Sequence, residues 1–416
     1  MDAVFEAQFR LMRAEFARQG VQIEIAFRPD GEVDYLYQAG HIIAHATDEN
    51  LNLLTNSFDG LRNPQERGLQ PTGRLTRFTT DSLADSALSV PEVLDQLERQ
   101  NPRLMEGGPI AATPDHVVHV SRICPATEPE VPSGRPVAPW PAPRAAGPCE
   151  REVTIGVSDT GLLQNLDPAR YTWLSGVTGD PDPLGPPAPS GRPRIPVYAG
   201  HGTFVAGVAR CQAPNARVMV NDHFSLSGGG ELESVLVTKL DDLVAQGAQV
   251  LNLSAGTYTR NNAAPLSFED FNRRHPDVAL VAAAGNDSTD RPFWPAAFDW
   301  AVGVGALATD QQHRAWFSNH GPWVDVYALG EGMVNAFATG EYAYHEPPKM
   351  PATQAFDGMA RWDGTSFAAP LVTGLIAERM AISNDTVAQA VAAVLKLARN
   401  QTLPDVGPAV FPGDNA

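Results

Sequence analysis

Four short apolar runs, residues 153–157, 217–221, 250–253 and 278–283, alternate with stretches of helical periodicity at 201–210, 231–246 and 268–274. Apolar runs of this length without polar alternation are the pattern of strands covered on both faces. Strands joined through helix-length crossovers pair in parallel. This part of the chain is therefore expected to fold as an α/β unit of three layers, a mainly parallel sheet between helices. In such a sheet, side chains that do chemistry gather at the carboxyl ends of the strands.

The rest of the chain is organised around a proline-dense segment at 125–148, PATEPEVPSGRPVAPWPAPRAAGP. Proline lacks the amide donor and fixes φ, which excludes a continuous helix or a central strand, so the segment reads as a linker. Ahead of it, Phe5, Phe9, Met12 and Phe16 recur at the spacing of one helix face. Strands are then expected at 35–46, 74–80 and 115–121, with helices at 48–58 and 90–99, giving a small α+β domain. The expected division is 1–121 for that domain, 122–150 for the linker, 151–400 for the α/β unit and 401–416 for a tail. Residues 180–196 are rich in proline and glycine and read as a loop.

Charge narrows the partners. The chain carries 48 acidic against 30 basic residues, a formal net charge of -18, which repels nucleic acid and anionic membrane surfaces. No apolar run reaches the roughly 18 residues that a membrane span needs. Glu6, Arg10, Arg13 and Glu15 interrupt residues 1–20, so no uncharged signal-peptide core is seen there, and a cytoplasmic location is expected, with unconventional export left open. Three cysteines, Cys124, Cys149 and Cys211, form neither a disulfide framework nor a zinc spacing. Cys124 and Cys149 bracket the proline-dense segment, and a bridge between them, where geometry allows, is worth about 3 kcal/mol.

Four positions carry candidate chemistry. Asp159 follows an expected strand and precedes Thr160-Gly161, a place for a catalytic carboxylate or for an ordinary turn. His201 opens His-Gly-Thr-Phe-Val-Ala-Gly-Val-Ala, a helix whose Ala206 and Gly207 permit close packing; alone it reads equally as a satisfied core histidine. Ser366 opens the apolar helix of Asp-Gly-Thr-Ser-Phe-Ala-Ala-Pro, where free backbone donors and partial positive charge suit an oxyanion, or where a serine merely caps. Pro370 is expected to be tolerated within the first turn. Asn286, after a strand end, offers a side-chain amide to an oxyanion or makes an Asx turn.

Taken together, the segments VSDTG, HGTFVAGVA, AAAGND and DGTSFAAP, in the order Asp, His, Asn, Ser, resemble the subtilisin family of serine proteases over about 60% of the chain, residues 152–399. NLSAG at 252–256, FSNHGP at 317–322 and the glycine run at 227–230 extend the likeness. The resemblance implies a subtilisin-like fold and a serine endopeptidase that forms an acyl-enzyme. In it Ser366 is the nucleophile, His201 the general base and acid, and Asp159 the residue orienting the imidazole. Asn286 and the Ser366 N–H form the oxyanion hole. It further implies that Ser227, Gly228, Gly229 and Gly230 on one side and Ser254, Ala255 and Gly256 on the other pair with an extended polypeptide substrate. Ala283, Ala284 and Gly285 flank the pocket before the scissile bond, with room for a sizeable apolar side chain.

No cofactor is implied for catalysis; structural calcium, common in the family, stays open but cannot be placed on particular residues. Phe204 and Phe367 depart from the family's His and Met at those places, and the segment 335–362 is long. Residues 1–121 are similar in element order to subtilisin propeptides, which implies an intramolecular chaperone or inhibitor cut away in or near 121–149; a permanent recognition domain is the alternative. A subtilase fold retained as an inactive scaffold is the rival reading of the whole chain.

Overall fold

The computed structural model describes residues 3–47, 54, 75–79, 88–100, 112–120, 128–134, 137–164, 166–224, 228–345 and 349–415. Seven strands form one sheet, all parallel, in the order Val326–Leu329, Val302–Leu307, Ala279–Ala283, Val250–Leu253, Thr154–Asp159, Arg217–Asp222, Val177–Gly179. The four expected apolar runs are its central strands. Those at 302–307 and 326–329 escaped the reading because glycine and alanine dilute the apolar signal in VGVGAL and VYAL.

Side chains alternate between two cores, as the twofold period of a strand requires. Ile155, Val157, Val218 and Val220 join Val205, Leu371 and Ile376 beneath the helices His201–Gln212 and Thr365–Ser383. Met219, Leu251 and Leu253 pack instead with Leu236, Leu240, Phe268 and Phe271 of the helices Glu233–Ala245 and Leu266–Arg274. The result is the three-layer arrangement expected. Thr365–Ser383 is buried on nearly all sides, as its uniformly apolar sequence demands.

Pro370 falls later than the first turn of that helix, beyond the four donors that lack internal partners. Its missing N–H deprives the Ser366 carbonyl of the usual i+4 bond. Ser254 Oγ replaces it, donating to Ser366 O at 2.7 Å. The proline thus couples the helix to the end of the neighbouring strand.

The N-terminal residues form an antiparallel sheet of Ile23–Phe27, Val33–His45, Leu75–Thr79 and Ala112–Val120, with helices Ala3–Arg18 and Val90–Gln100 packed against it. The expected helix at 48–58 lies outside the described residues save Leu54, and Cys124 lies outside them too; Cys149 is an exposed free thiol. The proline-dense segment does not hang free where it is described. Glu130 and Arg361 exchange backbone hydrogen bonds of 2.8 and 2.7 Å, as do Trp140 and Val334 at 2.8 and 2.9 Å, flanking the base of the hairpin Met333–Ala343 and Thr353–Trp362. An extended chain with prolines at intervening positions still has amides free to pair where proline is absent. The region 180–196 likewise holds short strands, at Pro181–Asp182, Gly185–Pro187 and Pro193–Ile195, rather than loop throughout.

Gly156 sits at the centre of the sheet, where an added Cβ would lie 2.8 Å from Leu251 and 2.9 Å from Ala248. Gly156→Ala is expected to destabilise the α/β unit by about 1–3 kcal/mol through overpacking. Chemical denaturation of the two proteins measures it; an unchanged midpoint would show that the layers can separate without cost.

Candidate active site

Asp159 ends the strand Thr154–Asp159 and is buried; its Oδ1 accepts from Thr160 N at 2.8 Å and lies 2.7 Å from His201 Nδ1. His201 is the first residue of its helix, following Gly200 at φ 85°. A Cβ on residue 200 would meet the Phe337 ring at 2.8 Å, so the turn that aims the imidazole needs glycine for both reasons. The ring is walled edge-on by Trp362 at 5.4 Å and at a tilt by Phe367 at 5.3 Å. Phe204 contacts both, 4.6 Å from Phe367 and 5.7 Å from Trp362. The two departures from the family pattern, Phe204 and Phe367, therefore pack on one another, with the hairpin's Trp362 completing the cluster.

Ser366 is buried in the first turn of its helix beside this aromatic wall. Its hydroxyl donates to the Ser254 carbonyl at 3.4 Å rather than to the imidazole, so the Asp159–His201 link is formed and the Ser366–His201 link is not. Asn286 is fixed by its oxygen: Oδ1 accepts from Thr365 N at 3.0 Å and Thr365 Oγ1 at 2.9 Å, which leaves the amide nitrogen as the group free to donate. Thr365 also accepts from Gly285 N at 3.1 Å. The turn at 285–286 and the start of the helix Thr365–Ser383 are thus tied together through one threonine.

The expected substrate edges lie on either side of an N-terminal strand. Gly230, Glu231 and Leu232 pair antiparallel with His119, Val118 and Val117, and Val120 N donates to Gly229 O at 2.8 Å. On the other side Ala255 pairs with Val120 and Gly256 with His119. Gly228 packs against Met12 of the first helix, and Ser227 lies outside the described residues. The methyls of Ala283 and Ala284 are fully buried in two different apolar clusters, while a Cβ at Gly285 would strike Asn319 Nδ2 at 2.5 Å.

Polar bridges surround that strand. His116 Nδ1 lies 3.0 Å from Glu233 Oε2, Ser234 Oγ donates to Asp115 at 2.7 Å, and Gln8 donates to the Tyr198 hydroxyl at 2.6 Å. Burial raises the Glu233 carboxyl above its ordinary range, with the nearby His116 opposing the shift. The Arg260 guanidinium reaches Glu98, at 2.8 Å, and Asp95, and Arg291 holds Asp34 at 2.6 Å. Among the described residues no group of three or more His, Cys, Asp or Glu is placed to hold a metal ion, and no helix is long and apolar enough to cross a membrane.

Sequence reasoning did not find Thr160, Asp182, Thr365 or Asn319 as supports of this site. Thr365 was visible as the neighbour of Ser366; Asp182 had no local signal, because its role depends on a contact with Gly200 that only the fold creates.

The Subtilase family model matches residues 150–407, more than half of the chain. A thermophilic serine proteinase of Bacillus sp. (strain AK1) is 33% identical over 241 residues, 54% of this chain and 51% of that protein. Subtilisin-like proteinase Mp1 of Magnaporthiopsis poae is 32% identical over 194 residues, 42% and 43% of the two chains. The chain therefore spans about half the length of these relatives. Among solved structures, fervidolysin from Fervidobacterium pennivorans, described as a keratinolytic enzyme related to subtilisin, aligns at 17% identity over 90% of this chain and 60% of that one, with a TM-score of 0.55. That likeness concerns the fold. Sheet order, motif placement and family match agree: this chain belongs to the Subtilase family.

Proposed function

We propose that the chain is a serine endopeptidase that cleaves extended polypeptide segments through an acyl-enzyme, with Asp159, His201 and Ser366 as its catalytic unit. The observation that carries this reading is the buried 2.7 Å contact between His201 Nδ1 and Asp159 at the rim of the sheet, beside a helix that bears Ser366 in its first turn. Asp159 holds Nδ1 as the protonated nitrogen, which leaves Nε2 to take the Ser366 proton. Rotation of Ser366 about χ1 exchanges its long 3.4 Å bond to Ser254 for one to Nε2, at small cost because a bond of that length is weak. The hydroxyl oxygen attacks the scissile carbonyl, and the charge that develops on the carbonyl oxygen is met by the Asn286 amide and the Ser366 N–H. His201 then protonates the leaving amine, and water releases the acyl group by the same steps reversed.

The N-terminal domain acts as an inhibitor by occupying the substrate edges. Residues 117–120 make the backbone pairing that a substrate would make with 229–232 and 255–256, so a peptide binds only after this strand withdraws. The chain is cut in or near 121–149. The proline-dense segment remains with the α/β unit through its bonds at Glu130 and Trp140.

Turnover of extended fluorogenic peptides tests the catalytic assignment. Ser366→Ala and His201→Ala are expected to lose nearly all activity, and Asn286→Ala to lower kcat by about 10²–10³-fold with a smaller change in KM. Wild-type rates in any of the three would reject the residue's role. On incubation the wild type should separate into two fragments that co-elute, while Ser366→Ala stays whole; a wild type that also stays whole rejects self-processing. In the cut protein, Arg260→Ala removes the clamp on Asp95 and Glu98 and should weaken inhibition by the N-terminal fragment about tenfold or more, read as a higher inhibition constant.

A further inference from the structure

Asp182 belongs to the segment between Asp159 and His201 that sequence reading leaves as loop, and it is 4% exposed. Its Oδ2 accepts from Gly200 N at 2.6 Å and from Thr160 Oγ1 at 3.1 Å. Gly200 immediately precedes His201, and Thr160 immediately follows Asp159. The Thr160 hydroxyl in turn accepts from Gly202 N at 3.1 Å, and Thr160 N donates to Asp159 Oδ1 at 2.8 Å. With the 2.7 Å contact between Asp159 and His201, these links close a ring in which every member is covalently joined or hydrogen-bonded to the next.

The ring answers a need created at the start of the helix His201–Gln212. Its N-cap is Gly200, which has no side chain to cap with and, as the Phe337 contact requires, can carry none. The orphan donors of the first turn must therefore find acceptors on other segments. Asp182 takes the amide of Gly200 and Thr160 that of Gly202, and a carboxylate at a helix N-terminus is favoured by the helix dipole.

We propose that Asp182 is a positioning residue for the triad: through Thr160 and Gly200 it fixes the separation of the two backbone segments that bear Asp159 and His201, and so holds the imidazole at hydrogen-bond distance from its carboxylate. The role lies in the acceptor rather than in the charge. Burial pushes the Asp182 carboxyl up to about 7, against the lowering effect of its two hydrogen bonds and with Asp159 and Asp222 adding to the rise. A proton on Oδ1 leaves both bonds to Oδ2 in place, so the ring persists on either side of neutrality. An asparagine oxygen can serve as the same acceptor.

The inference rests on the proposed peptidase reaction for its kinetic readout, and a second readout is independent of turnover. In the processed enzyme, Asp182→Ala is expected to lower kcat per titrated active site about 10–100-fold while KM stays within about twofold, and Asp182→Asn to recover to within about threefold of wild type. A role in folding alone would lower the titrated fraction and leave kcat per site unchanged, and that result overturns the proposal. Should Asp182→Ala fail to fold, Thr160→Val removes the other half of the bridge and must show the same loss; a wild-type kcat there overturns it equally. In the Ser366→Ala background, the downfield proton resonance of the His201 Nδ1–H bonded to Asp159 should shift or vanish in Asp182→Ala and persist in Asp182→Asn. Its persistence unchanged in Asp182→Ala contradicts the proposal even if the wild type turns over no peptide, an outcome that would count against the peptidase reading instead.

Discussion

A sheet whose strands all run one way and are covered on both faces sends every connection back to the same edge, and that constraint decides where chemistry can gather in this molecule. The strand Thr154–Asp159 delivers Asp159 to the rim, its neighbour at the centre of the sheet delivers Ser254, and the next leads to Asn286. Helices that start at the same rim bring His201 as an opening residue and Ser366 as a second residue. The coupling between them is polar and short. Asn252 donates to Ser254 at 2.9 Å, Ser254 donates to the carbonyl that Pro370 leaves open, and Thr365 ties the turn at Gly285 and Asn286 to the start of its helix. A shift of one strand end is thus passed directly to the helix that carries the hydroxyl.

Around this polar frame the long hairpin and the proline-dense segment do work that their sequences do not advertise. Trp362, from the hairpin, closes the imidazole's environment together with Phe204 and Phe367. The proline-dense chain in turn pairs with both edges at the hairpin's base and leaves fewer unpaired strand groups facing solvent. Substituting Phe204 or Phe367 singly would open space beside His201, since each ring is the other's neighbour.

The elements that were legible in the sequence are those whose local pattern coincides with their tertiary role. Residues 279–283 are continuously apolar because both faces are buried, and Phe5, Phe9, Met12 and Phe16 mark one helix face because only that face packs on the N-terminal sheet. Asp159, His201, Asn286 and Ser366 could be singled out because each sits at an element boundary flanked by small residues. Asp182 could not, since an aspartate between prolines has no periodicity, and its partners come from distant turns. Glycine-diluted strands such as 302–307 were missed for a related reason: Gly303 and Gly305 are set by close neighbours, with a Cβ at 305 falling 2.4 Å from Tyr327. The bonds of the proline-dense segment were equally hidden, because they depend on the hairpin edge that receives them.

The N-terminal strand ties these parts to function. An exposed pair of strand edges is a template for any extended chain, and residues 117–120 are the chain that fills it here. On the proposed reading the Ser366 hydroxyl becomes a nucleophile by virtue of the carboxylate–imidazole pair of Asp159 and His201. The decisive measurement is treatment of the cut protein, freed of its N-terminal fragment, with a fluorophosphonate followed by peptide mass mapping. The expected result is one adduct, on Ser366, absent from denatured protein and from His201→Ala. A folded protein that never gains mass at Ser366 would contradict it.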